Sequence, residues 1–116
     1  MPCLKVLTNL PNSKIPKDFV NKIVPVLSKT VRKPEQNFMV VISGECPLSF
    51  GGVSTEYGAV ASIESIGNLG PDVNKVITKE VTDFINRELG IKPDNFFLTF
   101  YDLAAYNVAR NGETIG

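Results

Sequence analysis

The chain has 116 residues, in which twelve basic residues balance twelve acidic ones, 43% of the residues are hydrophobic and histidine is absent. That length fits one domain with a real core and leaves no room for a second substrate domain. The even charge, without a block of like sign, offers no footprint for nucleic acid and no polybasic membrane anchor. Without histidine there is no Ser–His or Cys–His nucleophile, and the commonest general base and metal ligand are both missing.

No apolar run approaches membrane-spanning length, and residues 1–20 lack the basic start and apolar stretch of a secretory signal, so a cytoplasmic protein without membrane insertion is expected. Cys3 and Cys46 are far apart and form no CxxC, which supports neither a redox dithiol nor a zinc site; both read as buried apolar fillers. No phosphate-binding glycine motif occurs, and Gly51-Gly52 reads as a turn. No metal and no cofactor are expected.

The first feature along the chain is Pro2. A proline there suits a flexible, extended end. Methionine is also normally trimmed before proline, which would leave Pro2 with a secondary amine that can act as a base. On the residues alone the flexible end is the reading to prefer, and a base depends on what the rest of the chain builds around Pro2.

The stretch PCLKVLTN predicts a strand, followed by the turn-rich LPNSKIP. From Pro16 to about Val31, Phe19, Ile23, Leu27 and Val31 recur every four residues and predict one helix, with a kink or local irregularity at Pro25. NFMVVIS predicts a strand buried on both faces. After the loop GECPLSFGG, EYGAVASIESIG predicts a third strand with Ala59, Ala61 and Ile63 on one face. GPDVNKVITKEVTDFINRELG predicts a helix that starts at Pro71 and Asp72, stops at Gly90, and buries Val73, Val76, Ile77, Val81, Phe84, Ile85 and Leu89. NFFLTFYD predicts a fourth strand, with short edge pieces YNVAR and ETI around a hairpin turn at Asn111-Gly112.

The order is strand, helix, strand, repeated, and KPEQNFMVVIS at 33–43 is echoed by KPDNFFLTFYD at 92–102. A duplicated β-α-β unit explains both, with halves at about 1–55 and 56–116. The expected fold is α+β: a four-stranded mixed sheet carrying two helices on one face. The other face reads too apolar for water, so oligomerisation is the expected cover.

In its opening MPCL, TNLP at 8–11, Lys33-Pro34, SFGG at 49–52, SIG at 65–67, PD at 93–94, NV at 107–108 and NGET at 111–114, the chain resembles the macrophage migration inhibitory factor family of the tautomerase superfamily. The resemblance runs from Met1 to the end. It implies a homotrimer whose three sheets form a barrel, with Pro2 as catalytic base in a pocket between adjacent subunits. It further implies a cofactor-free tautomerase of the phenylpyruvate or dopachrome type, an intramolecular oxidoreductase acting on small aromatic keto acids.

The resemblance makes Lys33 the cation for a substrate carboxylate or oxyanion. It places Ser65, Ile66 and Val108 in the pocket, with Ile66 offering backbone hydrogen bonds. Phe97 and Thr99 stand where many animal members carry tyrosine and asparagine, which removes a phenol and an amide. Arg110 and Ile115 stand where aromatic residues are common, so the pocket is expected to be more cationic and less aromatic. Arg110 either grips a carboxylate or lies on a solvated edge. The CxxC of some members falls near Tyr57–Val60 and is missing here, so thiol–disulfide activity is not carried over. The resemblance equally accommodates an extracellular ligand, released without a signal peptide, that binds a cell-surface receptor and keeps its pocket as a vestige. A trimeric scaffold with neither role is a third reading.

Overall fold

A computed structural model describes residues 1–116. Four strands, β1 (Cys3–Thr8), β2 (Met39–Ser43), β3 (Ala59–Ser65) and β4 (Phe96–Asp102), form one sheet in the order β2-β1-β3-β4. β1 runs parallel to β2 and β3 parallel to β4, while the central pair β1 and β3 is antiparallel. Two parallel β-α-β units thus meet along one antiparallel seam, as the strand order and the echoed sequence require.

The first crossover is not the single helix expected from Pro16 to Val31. It is a short α1 (Phe19–Lys22) and a separate α2 (Val24–Val31), joined at Ile23. Pro25 is the cause: it has no N–H to bond the Asn21 carbonyl, and the structure accommodates it in the first turn of a new helix, where that donor has no helical partner anyway. The four-residue stripe nevertheless continues across the break. Phe19, Ile23, Leu27 and Val31 are all buried.

The second crossover is α3 (Pro71–Leu89), with Pro71 in its first turn, Asp72 near the positive end and Gly90 as a left-handed cap. Its core face consists of Ile77, Val81, Phe84, Ile85 and Leu89. Val76, expected in that face, is 55% exposed, because it lies on the flank of the stripe beside α2 rather than over the sheet. Phe19 and Phe84 meet at 5.7 Å in a tilted arrangement that joins the two crossovers.

The helices cover one face of the sheet, where Leu4, Val6, Ala59, Ala61 and Ile63 supply the strand side of the core. The opposite face is open. There Leu7, Met39, Val41, Val60, Phe97 and Tyr101 are each about half exposed or more. β2 is therefore not buried on both faces in one chain: Val40 and Ile42 pack on the core, while Met39 and Val41 face outward. The open face dips into a trough of about 370 Å³.

The cysteines are half-buried rather than buried, Cys3 on the open side of β1 and Cys46 against the Ser43 and Gly44 carbonyls. At the end of the chain, β5 (Ala109–Arg110) and β6 (Glu113–Thr114) form the expected hairpin. Asn111 and Gly112 have φ values of 57° and 80°, the left-handed pair that a two-residue turn of this hand needs. The strand there is shorter than YNVAR, because Ala105–Asn107 form a 3-10 turn.

Candidate active site

The amino terminus lies at the end of the sheet where three loops converge. Pro2 is buried, and its carbonyl accepts a hydrogen bond from Met39 N at 3.1 Å, so β1 is paired with β2 from its first residues. Lys33 is delivered by the end of α2. Arg32 takes a left-handed conformation (φ 63°) that ends the helix, and the chain then turns toward the sheet. Two tethers fix this exit. The Ser28 hydroxyl donates to the Lys33 carbonyl at 2.6 Å, and the Asn68 amide donates to the Val31 and Arg32 carbonyls at 3.0 and 3.2 Å.

The Lys33 ammonium donates to the Ile66 carbonyl at 2.6 Å. One of the backbone groups expected at Ile66 is thus already engaged, in holding the lysine over the end of β3. Ser65 is fully buried and its hydroxyl donates to the Gly67 carbonyl at 2.9 Å. Its role is to shape the loop. Gly67 has a φ of 74°, and its N–H is held by the Asp102 carboxylate at 3.0 Å. Ser28, Asn68 and Asp102 are the positioning groups that sequence reasoning missed; Gly67-Asn68 carries a turn signal, but nothing in the sequence shows what its side chains tie together.

Arg110 arrives from β5. Its guanidinium donates to the Met1 sulfur at 3.5 Å, which places it beside the first residue of the same chain. Val108 lies two residues earlier, half-buried, with its carbonyl bonded to Ile115 N at 2.8 Å. The electrostatic outcome is read at the amino terminus. Burial, then the Lys33 charge, then the Arg110 charge lower the pKa of the terminal amine below its ordinary 8.0. All three causes disfavour the ammonium, and no carboxylate acts against them.

One chain therefore brings Pro2, Lys33, Ser65, Ile66 and Arg110 together, with Val108 on the segment that carries Arg110. It does not bring Phe97 or Thr99 to them. The register sets Phe97 beside Val60 and Val60 beside Leu7, five residues along β1 from Pro2, or about 16 Å at the rise of a strand. Phe97, 61% exposed, points away from the helices on the open face, as does Thr99. Within one chain, Phe97 and Thr99 belong to the open face of the sheet and not to the end where the amino terminus lies.

The family model for macrophage migration inhibitory factor (MIF) matches residues 1–116. The chain belongs to the MIF family. The MIF-like protein mif-2 of Caenorhabditis elegans is 36% identical over 115 residues, covering 99% of this chain and 95% of that protein. Rat macrophage migration inhibitory factor is 32% identical, covering 98% of each chain. Among solved structures, the factor from Trichinella spiralis superposes with a TM-score of 0.92 at 28% identity, over 97% of this chain and 98% of that one. The homologue from Prochlorococcus marinus reaches 0.92 at 23% identity, over 98% and 99%, and at that identity the likeness is one of fold. The MIF fold accounts for the mixed four-stranded sheet with helices on one face. No helix is long and apolar enough to cross a membrane.

Thiol chemistry has no support at Cys3. Burial pushes its pKa up, outweighing the nearby Lys5.

Proposed function

We propose that this MIF-family protein, after loss of Met1, is a cofactor-free keto–enol tautomerase of phenylpyruvate-like acids, working as a homotrimer with Pro2 as base. The observation that carries the reading is the setting of the amino terminus, where burial, Lys33 and Arg110 together hold the Met1 amine below its ordinary pKa. Removal of Met1 moves the free amine one residue inward, to Pro2, which is buried. A secondary amine is intrinsically more basic than the α-amine range of about 7.7–8.0, and this environment would bring it toward neutrality, where a base works best.

In the ketone-to-enol direction, neutral Pro2 takes a proton from the carbon beside the ketone. The C–H electron pair becomes the new double bond, the carbonyl pair moves onto oxygen, and the proton is returned there. Lys33, held at the Ile66 carbonyl with two donors to spare, faces the charge that develops on that oxygen or the adjoining carboxylate. The apolar open face supports the trimer, because Leu7, Val41, Val60, Phe97 and Tyr101 need cover that one chain lacks. A neighbouring copy would also supply Phe97 and Thr99 to the pocket.

A second reading is a secreted, cytokine-like receptor ligand with weak or vestigial catalysis. It is favoured by Phe97 and Thr99, which provide no phenol or amide for the polar end of a substrate. Phenylpyruvate ketonisation by the trimmed protein decides between the two. Pro2→Gly should leave the trimer intact and lower kcat/KM by about 100-fold or more, the range of a lost general base. Equal rates reject Pro2 as the base; no activity in either protein favours the ligand reading.

A further inference from the structure

The loop after β3 and the exit of α2 hold each other in opposite directions. From the first half, the Lys33 ammonium donates to the Ile66 carbonyl at 2.6 Å. From the second, the Asn68 amide donates to the Val31 and Arg32 carbonyls at 3.0 and 3.2 Å. Residues 31–33 and 66–68 are thus closed into a ring, in which a side chain of each segment rests on the backbone of the other. Asp102 fixes Gly67 between the two contacts. Both turning points are left-handed, Arg32 and Asn68 each at φ 63°, a conformation that costs a residue with a Cβ and persists where the surroundings enforce it.

A helix cap alone does not account for the ring. The Val31 and Arg32 carbonyls at the end of α2 need donors, and Asn68 serves both. The exit of α3 is served locally instead, by the Asn86 amide on the Ile91 carbonyl at 3.1 Å. The lysine that follows there, Lys92, turns to Glu56. Where the donor comes from the opposite half, the lysine is drawn onto the donor's own loop; where the donor is local, the lysine goes to the surface.

We infer that Asn68 is a positioning residue for Lys33: its amide fixes the backbone from which the ammonium reaches Ile66, and so sets where the charge of Lys33 stands. The kinetic consequence rests on the tautomerase reading, because a misplaced cation stabilises the reacting oxygen less. The placement of the ammonium does not depend on that reading.

The test is competitive labelling of the full-length chain, Met1 removed, with a trace of acetic anhydride. Acetylation of Lys33 is read by mass spectrometry against the exposed Lys75. Asn68→Gly removes the amide and keeps the left-handed turn without a Cβ penalty. It should raise the Lys33 rate relative to Lys75 about three- to tenfold, the range set by the net strength of one hydrogen bond. Asn86→Ala, which removes the tether of the other half, should leave that ratio unchanged. In phenylpyruvate turnover, Asn68→Gly should lower kcat/KM by a similar factor in the parent chain and change nothing in a Lys33→Gln background, because its effect passes through the lysine. An unchanged Lys33 ratio overturns the role of Asn68, as does an equal rise in Asn86→Ala or an equal fall in kcat/KM in both backgrounds. A parent chain without turnover removes the tautomerase reading instead, and the labelling ratio still decides whether Asn68 positions Lys33.

Discussion

Lys33 and Lys92 follow the same local script and reach different ends. Each lies in a Lys-Pro pair between a left-handed helix cap, Arg32 or Gly90, and a 3-10 turn that leads into a strand. Lys33 is half-buried and points its ammonium at the Ile66 carbonyl, 2.6 Å away. Lys92 is exposed and pairs with Glu56 at 3.0 Å across the surface. The difference lies in what each crossover meets. The first ends beside the start of β1, where the chain itself begins, so a terminal amine can stand next to the lysine. The second ends beside the start of β3, which is mid-chain and offers only an amide. The same sequence phrase thus gives a half-buried lysine beside the chain's first residues in one half and a surface ion pair in the other.

The two halves share one core. Phe19 from the first and Phe84 from the second pack together, both almost fully buried. Phe19→Ala and Phe84→Ala should each cost about 3–5 kcal/mol in chemical denaturation. Because they touch, the double variant should cost less than the sum of the singles.

The next effect separates the two lysines. Lys33→Ala should remove about 1.5–3 kcal/mol of transition-state stabilisation, read as a roughly 10- to 100-fold fall in kcat/KM for phenylpyruvate. Lys92→Ala should leave turnover unchanged and shift stability by about 1 kcal/mol or less, as for an exposed ion pair. Equal loss in both variants would mean that the second lysine also serves the reaction.

The smallest effect concerns the broken crossover. Pro25 already stands in the first turn of α2, so Pro25→Ala should change stability by only about 1 kcal/mol, far from the roughly 3 kcal/mol of a proline inside a regular helix. A larger gain on thermal melting would show that the break between α1 and α2 is strained.

Most of the frame is legible because local signals agree with one another. The four-residue stripe from Phe19 to Val31, the alternation in β3 and the two turn pairs Gly51-Gly52 and Asn111-Gly112 all appear as read. Two βαβ units with parallel crossovers are present as read, while the antiparallel seam between β1 and β3 is a property of the folded chain. What failed was of another kind. Val76 satisfies the helical period yet lies on the flank, since a stripe does not state how wide its covered face is. The helix break at Ile23 depends on whether the surrounding packing admits a kink or a restart, which the position of Pro25 alone does not decide.

The site was legible in part. Pro2, Lys33, Ser65, Ile66 and Arg110 converge at one end of the sheet, although they lie far apart in sequence. The resemblance named them, and composition or spacing could not have done so. Arg110, open between a carboxylate grip and a solvated edge, is exposed and still reaches the first residue. The tethers from Ser28, Asn68 and Asp102 depend on which carbonyl or amide lies within reach, and that is a property of the folded chain.

The site lowers the charge on its own terminal amine, which belongs to Met1 until that residue is removed. Burial and both cations favour the neutral form, so the folded-state pKa is depressed. Stability from this group is therefore present above the unfolded pKa and lost as pH falls through the folded value, while base activity rises with pH through that same folded value. Protein trimmed of Met1 and labelled with ¹⁵N-proline allows the Pro2 nitrogen to be titrated directly by NMR. The Pro2 nitrogen should titrate below the same nitrogen in an unstructured peptide of the trimmed amino-terminal sequence, with a higher midpoint in Lys33→Gln. A midpoint at or above that of the peptide, unmoved by Lys33→Gln, would contradict a site that lowers the charge on its base.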